Sequence, residues 1–288
     1  MRICRFVSRG EPAGPARVGL LDDHGVRDVT QVTAQLPPLR WPLPPGDQFI
    51  ANLEALRPQM EQLAAGAPLI PRDQVKLLSP VANPGKFICG VGNWRHHGAV
   101  FGSRGFLFKM TSAMAGADEG VQLRWPDRTT VHEAELAWVI GREGVNISIE
   151  DAPRHIAGYV CALDMTLEKQ GEFFTFCKSF DSYGVLGPAL VTPDEVGDPA
   201  ELSYRFSLNG ELKHAKGFNE LTAGPAEMVA FASTVMTLYP GDVIFSGTAE
   251  VGPVVPGDVM TLEIPRVGRM DVAVSLSPNA RQVSQAPA

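Results

Sequence analysis

The sequence predicts an α+β protein that is rich in β-strands. The chain has 288 residues, of which 29 are glycine and 24 are proline. Such frequent turn-forming residues favour many short strands over a helix bundle. Short apolar segments bounded by turn residues recur along the chain, as expected for strands. Helical spacing is clearest in two stretches, 52–65 and 225–235.

These segments divide the chain into three parts. Residues 1–80 combine short strand-like runs with the helix predicted at 52–65, and a turn signal at Asp22–Gly25 predicts a hairpin. This part is expected to form a small N-terminal β/α domain. Residues 81–276 are strand-rich and are expected to form the larger domain. Residues 277–288 are polar and are expected to be a disordered tail.

The composition argues against several classes of partner and site. The net charge of −7 and a pI of about 5.4 argue against nucleic acid and against an anionic membrane surface. No apolar run approaches the roughly 18–20 residues that span a membrane. The first residues lack the apolar core of a signal peptide, so a cytoplasmic location is predicted. The cysteines Cys4, Cys89, Cys161 and Cys177 form no CxxC pair, so neither a zinc site nor a disulfide framework is indicated.

The most informative stretch is 131–140, which is short, apolar and rich in β-branched residues, as in a strand. Alternation places Glu133 and Glu135 on one face, with Ala137 and Val139 beyond them, while the other face is apolar. Such a strand is covered on both sides. Two buried carboxylates side by side are costly, so one binds a proton or a cation lies between them. The alternative is a frayed strand end whose glutamates face water, and this stretch alone leaves both open.

Three further polar residues follow or end predicted segments. His97 lies in a glycine-bearing loop after the strand predicted at 86–91, which is typical of a functional loop. Asp164 ends the strand predicted at 158–164, and Lys178 follows a link, 165–177, that is expected to be irregular. Each has an ordinary alternative: a surface histidine, a turn-forming aspartate and a solvated lysine.

Together with their neighbours, these residues resemble the fumarylacetoacetate hydrolase family. The resemblance covers about residues 80–276 and implies a mixed β-roll as the C-terminal catalytic domain, a smaller N-terminal domain and a homodimer. It is carried, in chain order, by the segments Lys86–Asn93 with His97, Phe106–Lys109 with Ser112, Glu133–Leu136, Gly158–Asp164, Lys178–Asp181, Leu186–Pro188, Pro240–Ile244 and Ser246–Thr248.

The resemblance implies that Glu133, Glu135 and Asp164 bind a metal ion. The chemistry of these residues agrees, because carboxylate oxygens without cysteine or histidine suit a hard divalent cation. We therefore expect Mg²⁺ or Mn²⁺, with Ca²⁺ as an alternative. The cation would also balance the clustered negative charge.

Members of the family cleave or rearrange compounds with a 1,3-dicarbonyl or 2-keto acid group. The resemblance therefore implies a small keto acid or diketone as substrate, and a metal-dependent hydrolase that cleaves a C–C bond of an acylpyruvate or β-diketone. His97 is expected to take a proton from water as general base, and the metal to stabilise the resulting enolate. Lys178 is expected to neutralise an oxyanion or donate a proton, and Thr248 and Gly247 to position the substrate.

The sequence departs from the family pattern at two positions. Many relatives have a glutamate three residues after the loop histidine, and here that residue is Val100. In the fumarylacetoacetase branch the partner comes from the closing strand, where Glu263 matches, so we predict a His97–Glu263 dyad.

The second departure concerns the substrate carboxylate. Relatives often bind it with an arginine four residues after the third metal ligand, and here that residue is Glu168. Lys109, Arg95 or Lys169 are the candidates to replace it, unless the substrate lacks a second acid group.

Two other functions fit the same scaffold. A decarboxylase or a 2-hydroxy-dienedioate isomerase needs the metal and an enolisable keto acid but no attacking water. A homologue without catalysis would bind a metal and a ligand only, although the presence of both His97 and Lys178 argues against it.

Overall fold

The computed structural model describes residues 1–282, and this part of the chain forms nineteen strands and five α-helices. The strands are β1 Arg2–Ser8, β2 Arg17–Leu21, β3 Gly25–Asp28, β4 Leu69–Pro71, β5 Val75–Leu78, β6 Phe87–Gly90, β7 Phe106–Lys109, β8 Met114–Gly116, β9 Val121–Leu123, β10 Thr130–Ile140, β11 Ile156–Asp164, β12 Thr166–Leu167, β13 Gly184–Val191, β14 Ser203–Leu208, β15 Glu211–Gly217, β16 Val243–Phe245, β17 Val251–Val254, β18 Val259–Ile264 and β19 Gly268–Leu276. The α-helices are α1 Gln48–Ala51, α2 Leu53–Gly66, α3 Phe174–Lys178, α4 Pro193–Val196 and α5 Pro225–Val235. Short 3₁₀ helices span Thr30–Gln35, Arg72–Gln74, Arg95–His97, Thr111–Ala113, Ala117–Glu119, Ala152–His155, Pro199–Glu201 and Phe218–Glu220.

The strands form two sheets, one of fourteen strands and one of five, so the predicted β-rich α+β class is confirmed. The main path of the large sheet runs β4-β3-β2-β1-β13-β11-β10-β16-β6-β7, and the small sheet runs β15-β14-β18-β19-β9. Both sheets are mixed, since β16 pairs parallel with β6 and β19 pairs parallel with β9. Strands β14 and β15 form a hairpin at Asn209–Gly210, where both residues have positive φ, of 54° and 80°, as a tight hairpin turn requires.

Strand β10 lies between two hydrophobic cores, as its alternating pattern predicted. Leu136 and Trp138 belong to the core on the side of the small sheet. Ala137 and Val139 belong to a second core, which contains residues of α2 and β1. Because alternate residues share a face, Glu133 and Glu135 lie on the side of the second core, at the end of the strand where that core stops.

The two predicted domains share one sheet. Strand β1 pairs with β2 and β5 of the N-terminal part and also with β13 of the C-terminal part. Met60 of α2 is packed in the same core as Val139 and Phe245. The pairing and the packing are thus continuous across residue 80, and the division into two domains at this position stays a prediction.

Two segments are more ordered than the sequence suggested. The link 165–177, expected to be irregular, contains β12 and most of α3. In the predicted tail, Ser277 is buried and its amide donates a hydrogen bond to the carbonyl of Leu123 at 3.0 Å, and the Arg281 amide donates to that of Arg124 at 2.8 Å. The predicted disorder therefore does not begin at Ser277, and residues 283–288 lie outside the described part.

Within residues 1–282, no helix is both long enough and apolar enough to cross a lipid bilayer.

The core around β10 gives a stability prediction. Trp138 is fully buried, so we expect Trp138→Ala to lower the free energy of unfolding by about 3–5 kcal/mol, through lost burial and a cavity. Trp41 is 90% exposed, so Trp41→Ala is the matched control and should change stability by no more than about 0.5 kcal/mol. Urea denaturation followed by circular dichroism measures both, and equal losses would show that the packing of Trp138 is not what stabilises β10.

Candidate metal centre and active site

Three carboxylates converge where β10 and β11 pair. Glu133 and Glu135 lie on β10, and Asp164 is the last residue of β11, whose antiparallel pairing sets Glu135 opposite Ala162. One oxygen from each of the three carboxylates lies within 4.8 Å of the others. Glu135 and Asp164 are buried, and Glu133 is half-buried. The structure thus brings together all three residues predicted to bind the metal.

The electrostatics of this cluster fit a divalent cation. Burial raises the pKa of Glu135 well above its ordinary value, and the charges of Asp164 and Glu133 raise it further. Asp164 Oδ1 is buried and forms an ion pair with Lys109 Nζ at 2.7 Å. Three carboxylates face two lysine ammonium groups here, which leaves an excess of negative charge and free oxygen lone pairs. The donor set, oxygen alone, is that of Mg²⁺ or Mn²⁺.

Lys178, at the end of α3, lies directly against the carboxylates. Its Nζ donates to both oxygens of Glu133 at 3.0 Å and to Asp164 Oδ2 at 2.6 Å. Burial would lower the pKa of Lys178, but Asp164 and Glu133 outweigh burial and raise it. Lys178 therefore carries the positive charge that the predicted role of neutralising an oxyanion requires, whereas a raised pKa does not favour the predicted alternative, proton donation.

Thr166 is a residue of the site that the sequence reasoning missed. Its hydroxyl donates to Glu133 Oε1 at 2.5 Å and accepts a hydrogen bond from Lys178 Nζ at 2.8 Å. The available signal was its position two residues after Asp164, on the same face of an extended chain. Thr166 fixes both the metal-facing carboxylate and the lysine.

The turn Gly247–Thr248 is held against the carboxylate cluster. The Gly247 amide donates to Glu135 Oε2 at 2.7 Å, and its carbonyl accepts from Trp94 Nε1, also at 2.7 Å. Gly247 has a φ of +84°, and a Cβ there would lie 3.0 Å from the carbonyl oxygen of Gly90, so only glycine fits without strain. The Thr248 hydroxyl donates to the carbonyl of Glu250 at 2.7 Å.

The predicted loop histidine reaches the same turn. His97 ends a 3₁₀ helix that Gly98 closes in the left-handed conformation. The Nε2 atoms of His96 and His97 lie 3.1 and 3.3 Å from the carbonyl oxygen of Ala249, the residue after Thr248. Both side chains are exposed. The structure thus places His97 beside the turn that contacts Glu135, with His96 equally close.

The predicted His97–Glu263 dyad is not formed. Glu263 lies on β18 of the small sheet, where Leu262 and Ile264 point into the core and Glu263 points away from it. Its carboxylate accepts a hydrogen bond from Arg269 Nη1 at 2.7 Å on the neighbouring strand. The assignment from the sequence was wrong because an adjacent strand already supplies the counter-charge.

The corrected position of Glu263 gives a testable expectation. We expect Glu263→Gln to leave turnover at the wild-type level, because the side chain contacts Arg269 and not His97. Its ion pair is solvent-exposed and contributes about 0–1 kcal/mol to stability. Steady-state kinetics of the variant measures this, and a large fall in kcat would restore Glu263 to the active site.

The candidates for binding a substrate carboxylate separate in the structure. Lys109 is fully buried, and its Nζ donates to the carbonyl oxygens of Met165, Lys178 and Tyr183 at 3.0, 2.6 and 2.8 Å. Its pKa is lowered, by burial above all. An ammonium group has three protons, so none is left for a substrate, and the predicted role of Lys109 in substrate binding is not supported.

The other two candidates lie elsewhere. Arg95 lines a cavity of about 530 Å³, with Phe218 and Glu227, whose lining includes none of the three carboxylates. Lys169 lies with its Nζ 5.6 Å from the ring centre of Phe174 at the start of α3. The backbone carbonyl of Glu168 accepts a hydrogen bond from Arg128 Nη2 at 2.6 Å. Glu168 therefore helps to fix the segment before α3 through its backbone.

Comparisons with known proteins agree with this geometry. The family model described as fumarylacetoacetate (FAA) hydrolase C-terminal matches residues 91–275. A maleylpyruvate hydrolase of Aquipseudomonas alcaligenes is 42% identical, over 95% of this chain and 99% of its own. A mitochondrial oxaloacetate tautomerase of Xenopus laevis is 32% identical, over 93% of this chain and 88% of its own.

A solved structure extends the comparison. The crystal structure of maleylpyruvate hydrolase from Sphingobium sp. SYK-6, in complex with manganese(II) and pyruvate, superposes with a TM-score of 0.83. It is 36% identical and covers 96% of this chain and 100% of its own. The family model spans most of the chain, and the relatives match nearly its whole length. The chain therefore belongs to the fumarylacetoacetate hydrolase family.

Proposed function

We propose that the protein is a divalent-metal-dependent hydrolase that cleaves an acylpyruvate, such as maleylpyruvate, into pyruvate and a carboxylic acid. The observation that carries the proposal is the cluster of Glu133, Glu135 and Asp164, with oxygens within 4.8 Å of one another. The 42% identical relative is a maleylpyruvate hydrolase. The Sphingobium relative, also a maleylpyruvate hydrolase, holds manganese and pyruvate, which favours Mn²⁺ over Mg²⁺ here.

The side chains divide the reaction between them. When bound, a divalent cation would polarise adjacent oxygens of the keto acid as a Lewis acid. His97 takes a proton from water, and the water oxygen attacks the acyl carbonyl, not the keto group beside the pyruvate carboxylate. The C–C bond then breaks, and the carbon that becomes the pyruvate methyl group takes up a proton. Lys178, protonated and close to Glu133 and Asp164, stabilises the negative charge that develops during these steps.

The test is an assay on metal-free protein. Maleylpyruvate and acetylpyruvate are offered after EDTA treatment, and again with Mn²⁺ or Mg²⁺ restored, while pyruvate is measured. We expect pyruvate and the matching acid only when metal is present. Turnover that persists in EDTA, or metal-loaded protein that releases no pyruvate from either compound, would contradict the proposal.

An oxaloacetate tautomerase is the second candidate. The Xenopus relative that carries this name is 32% identical. Val100 is 75% exposed and Glu263 pairs with Arg269, so neither of these two positions provides His97 with a carboxylate partner for activating water. Enol–keto interconversion of oxaloacetate without pyruvate release would favour this candidate, CO₂ release would favour a decarboxylase, and binding without turnover a non-catalytic homologue.

Two features of the proposal concern the protein as a whole. A homodimer and a cytoplasmic location, both predicted from the sequence, stay predictions. Light scattering on the purified protein measures the first, and fractionation of the source cells the second.

A further inference from the structure

Lys109 lies at a junction of four segments of the chain. It ends β7, and its Nζ contacts Asp164 at the end of β11, the carbonyl of Met165, the carbonyl of Lys178 at the end of α3, and that of Tyr183 before β13. The side chain is 0% exposed. Lys109 thus joins Asp164, a carboxylate of the candidate metal site, to the backbone of Lys178.

Lys109 ties the Asp164 carboxylate to the backbone. Its ammonium group donates to three carbonyl oxygens at 2.6–3.0 Å and forms an ion pair with Asp164 Oδ1 at 2.7 Å. The three carbonyls set the position of the ammonium group, and the ion pair fixes the carboxylate beside it.

The Lys109 side chain packs closely against Gly184 at the start of β13. A Cβ on Gly184 would lie 3.1 Å from Lys109 Cδ and 3.0 Å from the ring of Phe87. Such contacts are tighter than ordinary van der Waals packing. Close packing and three backbone carbonyls thus constrain Lys109, whereas Lys178 Nζ contacts the side-chain oxygens of Glu133, Asp164 and Thr166.

From this geometry we infer that Lys109 is a positioning residue of the metal site, which fixes Asp164 and the carboxyl end of α3, and not a substrate-binding residue. The inference rests on the metal site of the proposed function. Partners of metal ligands act in this way in other proteins, and their loss typically weakens metal binding by about 10–100-fold.

Two other roles make different predictions for the same variant. If Lys109 acted on the metal site only through its positive charge, its removal would strengthen binding of a cation, because like charges repel. If Lys109 were only a structural cross-link, its removal would lower stability and leave metal affinity unchanged. The affinity for metal therefore distinguishes all three roles.

The chain offers a matched control in Lys86. Its Nζ lies 2.6 Å from Oδ2 of Asp242, which is fully buried, so this is another lysine paired with a buried aspartate. Asp242 is not one of the three clustered carboxylates. Lys86→Gln should lower stability and leave Mn²⁺ affinity at the wild-type level.

The experiment measures Mn²⁺ binding by EPR of free Mn²⁺, at a temperature where circular dichroism shows each protein folded. We expect Lys109→Gln to weaken binding by about 10–100-fold and Lys86→Gln to leave it unchanged. Unchanged or tighter binding in Lys109→Gln would overturn the inference. Wild-type protein that binds no Mn²⁺ would instead contradict the proposed function.

Lys109→Gln removes one of the two ammonium groups that contact the buried Asp164 carboxylate, so the variant can fail to fold. Lys109→Arg, which keeps the charge, is then measured in its place, and it should also bind Mn²⁺ more weakly because a guanidinium cannot reproduce all three carbonyl contacts. A crystal structure of the Mn²⁺-loaded wild type is the test that needs no variant. Lys109 Nζ should keep its contacts with Asp164 and the three carbonyls, and its displacement from Asp164 would overturn the inference.

Discussion

Replacement of His97 by alanine is expected to lower kcat for an acylpyruvate by about 10²–10⁴-fold, the range that a general base contributes. Mn²⁺ affinity should stay at the wild-type level, because the His97 ring nitrogen contacts the carbonyl of Ala249 and not one of the clustered carboxylates. Pyruvate release measures the first effect, and titration with Mn²⁺ measures the second. A fall in both would indicate that the loop supports the metal site and not the chemistry.

The adjacent histidine provides the control. His96 and His97 have ring centres 4.3 Å apart and share the carbonyl of Ala249, so the structure alone does not rank them by distance. The resemblance to the family selects His97. We expect His96→Ala to keep most of the activity, and the opposite result in the two variants would assign the base to His96.

The central strand and the metal site were predictable from the sequence because both depend on local patterns. Alternation along β10 fixes which residues share a face, and it placed Glu133 and Glu135 together before any pairing was known. Asp164 was found through its place at the end of an apolar strand and through the family resemblance. The side-by-side glutamates follow from the order of residues along one strand, whereas their meeting with Asp164 was implied by the family resemblance.

The errors concern contacts that depend on sheet register and on burial. Glu263 has the residue type and position of a catalytic partner, but its pairing with Arg269 depends on how β18 lies against β19. Lys109 was one candidate to bind the substrate carboxylate, because Glu168 stands where relatives often have an arginine. That its ammonium is enclosed by three carbonyls depends on four segments meeting, which no local pattern of one sequence shows.

Replacement of Asp164 by asparagine is expected to remove Mn²⁺ binding and to destabilise the protein by about 3–5 kcal/mol, the cost of breaking a buried ion pair from one side. Lys109 and Lys178, at 2.7 and 2.6 Å from the two carboxylate oxygens, would lose a buried counter-charge. Urea denaturation of wild type and variant, both in EDTA, measures the loss without any contribution from bound metal.

Glu135→Gln should not lower the free energy of unfolding, although it removes another of the clustered carboxylates. Within residues 1–282, no lysine forms an ion pair with Glu135, whose carboxylate accepts hydrogen bonds from the Gly247 amide and, at 3.5 Å, the Ser246 hydroxyl. A glutamine oxygen can accept both. Burial and two neighbouring carboxylates disfavour the charge and raise the pKa of Glu135, so its removal relieves repulsion. We expect Mn²⁺ binding to be lost while the free energy of unfolding in EDTA stays equal or rises. Equal destabilisation by both variants would show that the lysines do not balance Asp164 selectively.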